Sequence, residues 1–192
     1  MRFSCGVLLA ILLLTPVLGA AAEPELKAGA FTPARVAPNF SLRGSDSSEL
    51  RLSRYRGKVV ILAFGFTSCP VVCPTTLSTL AETRKKLGDQ ADQLQVIYVT
   101  VDPETDSPER MRKFLGSFDP TFIGGTGTPE QLAAVRQVYG ITAEKKMVGD
   151  RATFSHSSFT YLIDRNGNLR ALMPWGQSSD DYVHDVRILL QQ

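Results

Sequence analysis

Two cysteines near the middle of the chain are the first residues whose type and spacing predict chemistry. Cys69 and Cys73 stand four positions apart, just after an apolar run typical of a buried strand. Because the residue before a proline avoids the helical region, Cys73 is predicted to cap a following helix, with Pro74 as its first residue. The positive end of that helix favours thiolate, the form of cysteine that binds metals and attacks disulfides.

The spacing of this pair favours a metal, and the chain offers few candidates for a third ligand. Three intervening residues allow both sulfurs to face one ion, and soft thiolates favour copper(I) or zinc. The chain has only two histidines. His156 precedes a predicted strand, and its nitrogen with two thiolates forms a trigonal site suited to copper. His184 is predicted to be solvated on a helix face. The plainer alternatives are a structural disulfide, two inert thiols and a surface histidine.

The first 22 residues are typical of an export signal, with an apolar stretch at 7–18 and small residues at 20–22. The alternative is an uncleaved membrane anchor, although Pro16 makes it a poor membrane helix. Cleavage would remove Cys5 and leave two cysteines in an oxidising compartment, where such a pair is a disulfide, a metal site or both. So short a disulfide loop stabilises little, which favours chemistry.

Composition predicts one folded domain in the mature chain. The full chain of 192 residues is 43% hydrophobic and has a formal net charge of +2, which becomes +1 without Arg2. This near-neutral balance gives no support to nucleic-acid binding. Residues 23–38, rich in Ala, Pro and Gly, are predicted to be a flexible linker, and residues 39–192 the domain.

Alternating strands and helices predict an α/β fold with a mixed central sheet flanked by helices. Two short strands at 40–42 and 50–52 form an N-terminal extension. The remaining predicted elements are buried strands at 59–64 and 94–101, helices at 74–87, from 107, at 128–140 and at 178–190, and a hairpin at 159–164 and 169–173.

Taken together, these residues resemble the Sco/SenC family of copper chaperones over about residues 36–190. The resemblance rests on the segments 65–69, 72–74 and 101–109, and on His156 followed by residues 161–164 and Gly167. It implies a thioredoxin-like fold. It also implies that Cys69, Cys73 and His156 bind one copper ion, as Cu(I) or Cu(II).

The resemblance further implies a function and a location. Family members deliver copper to the dinuclear copper site of cytochrome c oxidase, reduce the cysteines of that site, or do both. The expected partners are the copper-site subunit of the oxidase and other copper or thiol carriers. The expected location is the bacterial periplasm, either free or tethered to the outer face of the inner membrane by an uncleaved N-terminus.

The chain departs from the family pattern at two positions. Val71 and Ser155 stand where the family often has aspartates, and losing these charges predicts weaker copper binding or a shift toward redox work. Asp102 and Asp106 match the family pattern and are predicted to serve in capping and turn formation rather than as ligands.

Two other functions use the same cysteines. A thiol–disulfide oxidoreductase needs only Cys69 and Cys73 as a redox pair and no obligatory metal, so the sequence leaves open whether the protein is an enzyme. A peroxiredoxin-like peroxidase would need an arginine beside a reactive cysteine, and no arginine flanks the motif; Arg151, near His156 in the sequence, is the candidate.

Overall fold

The computed structural model describes residues 25–149 and 151–192, so the predicted export signal at 1–22 lies outside the described part. Its strands are β1 Gly29–Val36, β2 Ser41–Gly44, β3 Glu49–Arg51, β4 Val59–Gly65, β5 Leu94–Thr100, β6 Ile123–Thr126, β7 Ala143–Val148, β8 Arg151–His156, β9 Phe159–Ile163 and β10 Asn168–Pro174. Its α-helices are α1 Val72–Leu87, α2 Pro108–Gly116, α3 Pro129–Tyr139 and α4 Ser179–Leu190. Within these residues, no helix is both long and apolar enough to cross a membrane.

Eight of these strands form one mixed sheet in the order β1-β10-β9-β4-β5-β6-β2-β3. Strands β4, β5 and β6 run parallel, whereas β9 pairs with β4 in the antiparallel sense. Helices connect the parallel strands, as crossover connections require. The carboxyl ends of β4 and β5 therefore lie at the same end of the sheet, which is where the cysteines follow.

Strand β4 is buried along its whole length because both faces of the sheet are covered. Val59, Ile61 and Ala63 pack in a core formed with α1, α2 and α4. Val60, Leu62 and Phe64 face a second core that includes α3. The apolar run from which this strand was predicted is thus explained by cover on two sides.

Most predicted helix signals are confirmed. Ser107, Thr128 and Ser178 each cap a helix with a side-chain oxygen that accepts a backbone N–H, and the last two form capping boxes. Each such cap stabilises its helix by about 1 kcal/mol. Gly140 ends α3 with a φ of 64°, a left-handed conformation that costs glycine little.

The prediction that residues 23–38 are a flexible linker is wrong for Gly29–Val36. These residues form β1, which pairs antiparallel with β10 at the edge of the sheet. Just before it, the backbone amides of Lys27 and Ala28 donate to the carboxylate of Asp185, a fully buried residue of α4. Partners distant in the sequence create this strand, which is why local composition did not reveal it.

The segment before the predicted hairpin also differs from expectation. Strands β7 and β8 form a separate two-stranded antiparallel sheet, and His156 is the last residue of β8 rather than part of a loop. The predicted hairpin of β9 and β10 is confirmed, with Gly167 in its turn at a φ of 77°.

Candidate metal and thiol site

The cysteine segment begins where β4 ends, and its first residue has to be glycine. A Cβ on Gly65 would lie 2.1 Å from the hydroxyl oxygen of Tyr98 and 2.7 Å from the sulfur of Cys73. Such distances are far inside van der Waals contact. Gly65 therefore allows Tyr98, on the neighbouring strand β5, to lie beside the Cys73 sulfur. The Tyr98 hydroxyl donates to the carbonyl of Phe66 at 3.3 Å.

Cys73 lies inside the helix, contrary to the prediction that it caps α1 from outside. The helix begins at Val72, which makes Cys73 its second residue and Pro74 its third. Pro74 is tolerated there because amides of the first helical turn have no partner within the helix, so its missing N–H removes no helical hydrogen bond. The Cys73 side chain is buried, whereas that of Cys69 is half-buried in the preceding loop.

The sulfur of Cys69 acts as the cap of α1. The N-cap residue, Val71, has no side-chain oxygen and makes no capping hydrogen bond. Instead the backbone N–H of Cys73 donates to the Cys69 sulfur, with 3.4 Å between nitrogen and sulfur. The positive end of the helix therefore points at Cys69, which favours a thiolate on that residue.

The two cysteines are both free thiols with opposite shifts in pKa. A hydrogen bond from the Cys73 side chain, together with those from the backbone amides of Cys73 and Val71, lowers the pKa of Cys69 to about 4. The same shared hydrogen bond, and then burial, raise the pKa of Cys73. At neutral pH the pair therefore holds one thiolate on the accessible sulfur and one proton on the buried sulfur.

His156 lies beside the buried cysteine of the pair. Its Nε2 lies 3.8 Å from the Cys73 sulfur. Its Nδ1 lies 2.8 Å from the carbonyl oxygen of Ser157. Because a carbonyl can only accept, Nδ1 carries a proton, so the lone pair that this imidazole offers to a metal is the one on Nε2, on the side of the Cys73 sulfur. The edge of this ring also packs against Phe66, at 6.0 Å between centroids.

The separation between Cys73 and His156 fits two ligands of one metal ion. Bonds of about 2.3 Å to sulfur and about 2.0 Å to nitrogen, at about 120°, place the two ligand atoms about 3.7 Å apart. The Cys73–His156 distance of 3.8 Å matches this. Among residues 25–149 and 151–192, however, no three His, Cys, Asp or Glu side chains are already arranged as a complete metal site. Closing the site thus requires the Cys69 sulfur to turn away from the Cys73 amide, which it faces.

Sequence reasoning missed an arginine close to the motif. Arg110, in the first turn of α2, donates to the hydroxyls of Thr67 and Ser68 at 2.6 and 3.0 Å. No local sequence pattern could reveal this contact, because Arg110 follows the cysteines by about forty residues. It reaches them only through the parallel pairing of β4 and β5. The predicted surface position of His184 is confirmed: it lies on α4 and contacts the carboxylate of Asp185 at 2.9 Å.

A cavity opens beside Cys73 and His156, with Trp175 at its edge. Its volume is about 130 Å³. Among its described lining residues, the titratable side chains are Cys73, Tyr98, His156 and Tyr182. Trp175, the only tryptophan of the chain, is 49% exposed there. Its fluorescence therefore reports on this end of the molecule.

Comparison with known proteins by sequence points to one family. The SCO1/SenC family model matches residues 29–191. An SCO2-like protein of Rickettsia conorii is 32% identical over 136 residues, which are 69% of this chain and 66% of that protein. The matched part thus spans just under two thirds of the length of that relative.

Solved structures resemble the chain over most of its length. ScoI of Bradyrhizobium japonicum with copper bound is 31% identical, with a TM-score of 0.75, and the match covers 81% of this chain and 99% of that one. Apo Sco1 of Thermus thermophilus in solution is 32% identical, with a TM-score of 0.78, and the match covers 88% and 100%. These likenesses confirm the predicted thioredoxin-like fold.

Proposed function

Because the chain belongs to the SCO1/SenC family, we propose that it carries one copper ion on Cys69, Cys73 and His156. The observation that carries the proposal is the position of the Nε2 lone pair of His156, 3.8 Å from the Cys73 sulfur, with Nδ1 committed to a carbonyl. Two sulfurs and one imidazole nitrogen form a soft donor set that suits copper. Copper is bound in the structure of the similar ScoI from B. japonicum, which supports the choice of metal.

The protein uses this copper as cargo. It delivers the ion to the dinuclear copper site of cytochrome c oxidase, and its thiols can also reduce the cysteines of that site. Its partner is the copper-site subunit of the oxidase. Residues 1–22 direct the domain to the bacterial periplasm, where they are removed or retained as a tether to the inner membrane.

Thiol–disulfide exchange without a metal is the second candidate function. It is favoured by the thiolate on the half-buried Cys69, whose pKa of about 4 keeps it ionised at neutral pH. Cys73, buried and protonated beside it, is placed to resolve a mixed disulfide. In that reaction Cys69 attacks a partner disulfide and Cys73 then displaces the partner's sulfur, which leaves a Cys69–Cys73 disulfide and a reduced partner.

The two histidines of the chain provide a matched test of copper carriage. The mature domain is reduced, loaded anaerobically with Cu(I), and titrated against a chromogenic chelator as wild type, His156→Ala and His184→Ala. We expect one equivalent of copper in the wild type and in His184→Ala, and at least a hundredfold weaker binding in His156→Ala. Trp175 fluorescence provides an independent reading of copper at the site.

Equal copper affinity for the two histidine variants would contradict the three-ligand site. Failure of the wild type to retain copper would contradict the carrier function altogether. The second candidate then gains support if the wild type reduces a model disulfide at a rate that requires Cys69 and does not depend on His156.

A further inference from the structure

A buried carboxylate joins the cysteine loop to the helix that follows β5. Asp106 is 0% exposed. One of its oxygens accepts from the hydroxyl of Thr67 at 2.5 Å, and the other accepts from the Thr67 backbone amide at 3.0 Å. The second oxygen also accepts from the hydroxyl of Thr100, at the end of β5, at 2.7 Å. A single side chain thus fixes the residue two positions before Cys69 to the central sheet.

Arg110 extends this arrangement on the outer side. Its Nε donates to the same Thr67 hydroxyl at 2.6 Å and lies 3.7 Å from the Asp106 carboxylate. Another guanidinium nitrogen donates to the Ser68 hydroxyl at 3.0 Å. The Thr67 hydroxyl therefore accepts from a cation while it donates to an anion, which orients it fully. Both residues that directly precede Cys69 are held by the same arginine.

Helix capping does not account for the Asp106 carboxylate. The cap of α2 is Ser107, whose hydroxyl accepts from the backbone amide of Arg110. The turn before it is closed by the carbonyl of Asp102, which accepts from the amides of Thr105 and Asp106. Both structural tasks are thus done by other atoms, and the carboxylate faces the cysteine loop.

We propose that Asp106, Thr67 and Arg110 form a positioning network that holds the Cys69 loop where its sulfur can reach the ion shared with Cys73 and His156. This inference rests on the proposed copper function and adds residues to it. Cys69 lies in a loop between β4 and α1, so no regular element fixes it. The network supplies that constraint from β5 and α2, and none of the hydrogen bonds that form it involves a sulfur.

The network favours the dithiol form over the disulfide form. In the disulfide, the covalent bond itself fixes the Cys69 sulfur, so the network adds little. In the dithiol and in the copper complex, the loop alone must present that sulfur. Loss of the network should therefore weaken copper binding and also shift the thiol–disulfide equilibrium toward the disulfide.

The test compares Asp106→Asn, Thr67→Val and Arg110→Gln with matched controls. Thr67→Ser restores the hydroxyl. Asp102→Asn is the control for Asp106→Asn: it makes the same substitution at a buried residue that contacts the network through its backbone atoms. Arg112→Gln repeats the basic change on an exposed position of α2. Each variant is measured for Cu(I) affinity by chelator competition, for its equilibrium with a reference dithiol, and for Tm.

We expect Thr67→Val and Asp106→Asn to bind Cu(I) about tenfold more weakly and to shift the dithiol equilibrium about tenfold toward the disulfide, which is ~30 mV. Arg110→Gln, at an exposed side chain, should change both by about threefold without loss of folding. Thr67→Ser and both controls should stay within twofold of the wild type.

Two results would overturn the network. One is a lower Tm in the variants with unchanged copper affinity and unchanged dithiol equilibrium, which would make its role structural only. The other is a change in copper affinity and dithiol equilibrium in Asp102→Asn that equals the change in Asp106→Asn. If the wild type itself bound no copper, the proposed function would fail, and the dithiol equilibrium would still decide whether the network positions Cys69.

Discussion

The cysteines and the histidine lie on regions of the molecule that are held in different ways. Cys69 and Cys73 follow β4, a central strand that is paired on both sides and buried on both faces. Cys73 is also part of α1, which packs against α4. The core of the domain therefore sets the position of the Cys73 sulfur and the point from which the Cys69 loop starts.

His156 ends a hairpin that is joined to the rest of the domain mainly through side chains. Strands β7 and β8 pair only with each other, and residues 144–147 are exposed. Side-chain contacts hold the hairpin against the domain: Phe154 packs on Phe66 with 5.4 Å between ring centroids, and Lys145 pairs with Glu104. An isolated two-stranded hairpin is only marginally stable in water, so these contacts determine where the imidazole lies.

This difference suits the proposed function, in which the protein binds a metal and then releases it. The two proposed ligands that follow β4 stay beside the core when the ion leaves. The third proposed ligand, His156, ends a hairpin that is joined to the domain mainly through side chains, so it can move away from the sulfurs and permit ligand exchange with a partner. We therefore expect substitutions beside the cysteines to lower both copper affinity and stability. Substitutions in the hairpin should lower copper affinity alone.

The largest effect is expected from Gly65→Ala. The new methyl group would need the space of the Tyr98 hydroxyl and the Cys73 sulfur, at 2.1 and 2.7 Å. We expect the free energy of unfolding to fall by about 2–3 kcal/mol, measured by urea denaturation, because overpacking displaces both side chains. Cu(I) affinity should fall more than a hundredfold. Gly116→Ala is the matched control, because no described atom other than its chain neighbours and its own helix backbone lies within 4 Å of the new Cβ; similar losses in both variants would refute the argument.

The next effect concerns the cap of α1. A capping side chain at position 71 normally accepts the N–H of the second or third helical residue. Here the third is Pro74, which has no N–H, so only the Cys73 amide is available, and the Cys69 sulfur already accepts it. Val71→Asn and Val71→Asp should therefore compete with the sulfur and raise the pKa of Cys69 above its value of about 4.

The pH dependence of alkylation of Cys69 measures this shift. Because a thiolate reacts and a thiol does not, the midpoint of the rate profile gives the pKa. We expect Val71→Asp to raise the midpoint by at least one pH unit, since it adds a like charge, and Val71→Asn to raise it less. Val138→Asn, at another exposed valine, should leave it unchanged. An unchanged midpoint in Val71→Asp would mean that the helix amide does not stabilise the thiolate.

The sequence predicted the cysteine region better than the hairpin, for a physical reason. The apolar run of β4, the prolines and the helix caps are local signals, and they placed Cys69 and Cys73 at the junction of a buried strand and a helix. The prediction that Cys73 caps α1 from outside was wrong because the rule for residues before proline is statistical, and the first turn of a helix tolerates a missing N–H.

The hairpin was missed because its residues carry weak signals. Strand β7 reads Ala-Glu-Lys-Lys-Met-Val, with too few apolar residues to predict burial. One signal was available: Gly149 and Asp150 separate two extended segments, and such a pair is typical of a two-residue hairpin turn. The contacts of Asp185 with the N-terminal segment, and of Asp106 with Thr67, join residues far apart in the sequence and could not be read from it.

A moderate effect is expected from Phe154→Ala in the hairpin. The ring packs on Phe66, which also contacts the His156 ring. Losing an aromatic pair of this kind costs about 1 kcal/mol, and here the cost falls on the position of the hairpin. We expect Cu(I) affinity to fall about fivefold in chelator competition while the urea midpoint stays within error. Phe118→Ala removes a comparable pair with Phe114 in and just after α2 and should lower stability without changing copper affinity. A lower urea midpoint in Phe154→Ala, with unchanged copper affinity, would show that the hairpin is fixed as firmly as the core.

The smallest effect is expected at the ion pair between the hairpin and the loop after β5. Lys145 Nζ lies 2.6 Å from Glu104 Oε2, and both side chains are exposed, so solvent screens the attraction. We expect Lys145→Gln and Glu104→Gln each to weaken copper binding by at most twofold. The double variant should bind copper no more weakly than either single one, because both substitutions remove the same contact.

The control is Lys146→Gln. It breaks an ion pair with Glu144 that lies within the hairpin and should leave copper affinity unchanged. The effect of Lys145→Gln should vanish at high salt, where the wild type loses the same attraction; an effect that persisted in high salt would mean that the lysine stem, rather than its charge, holds the hairpin.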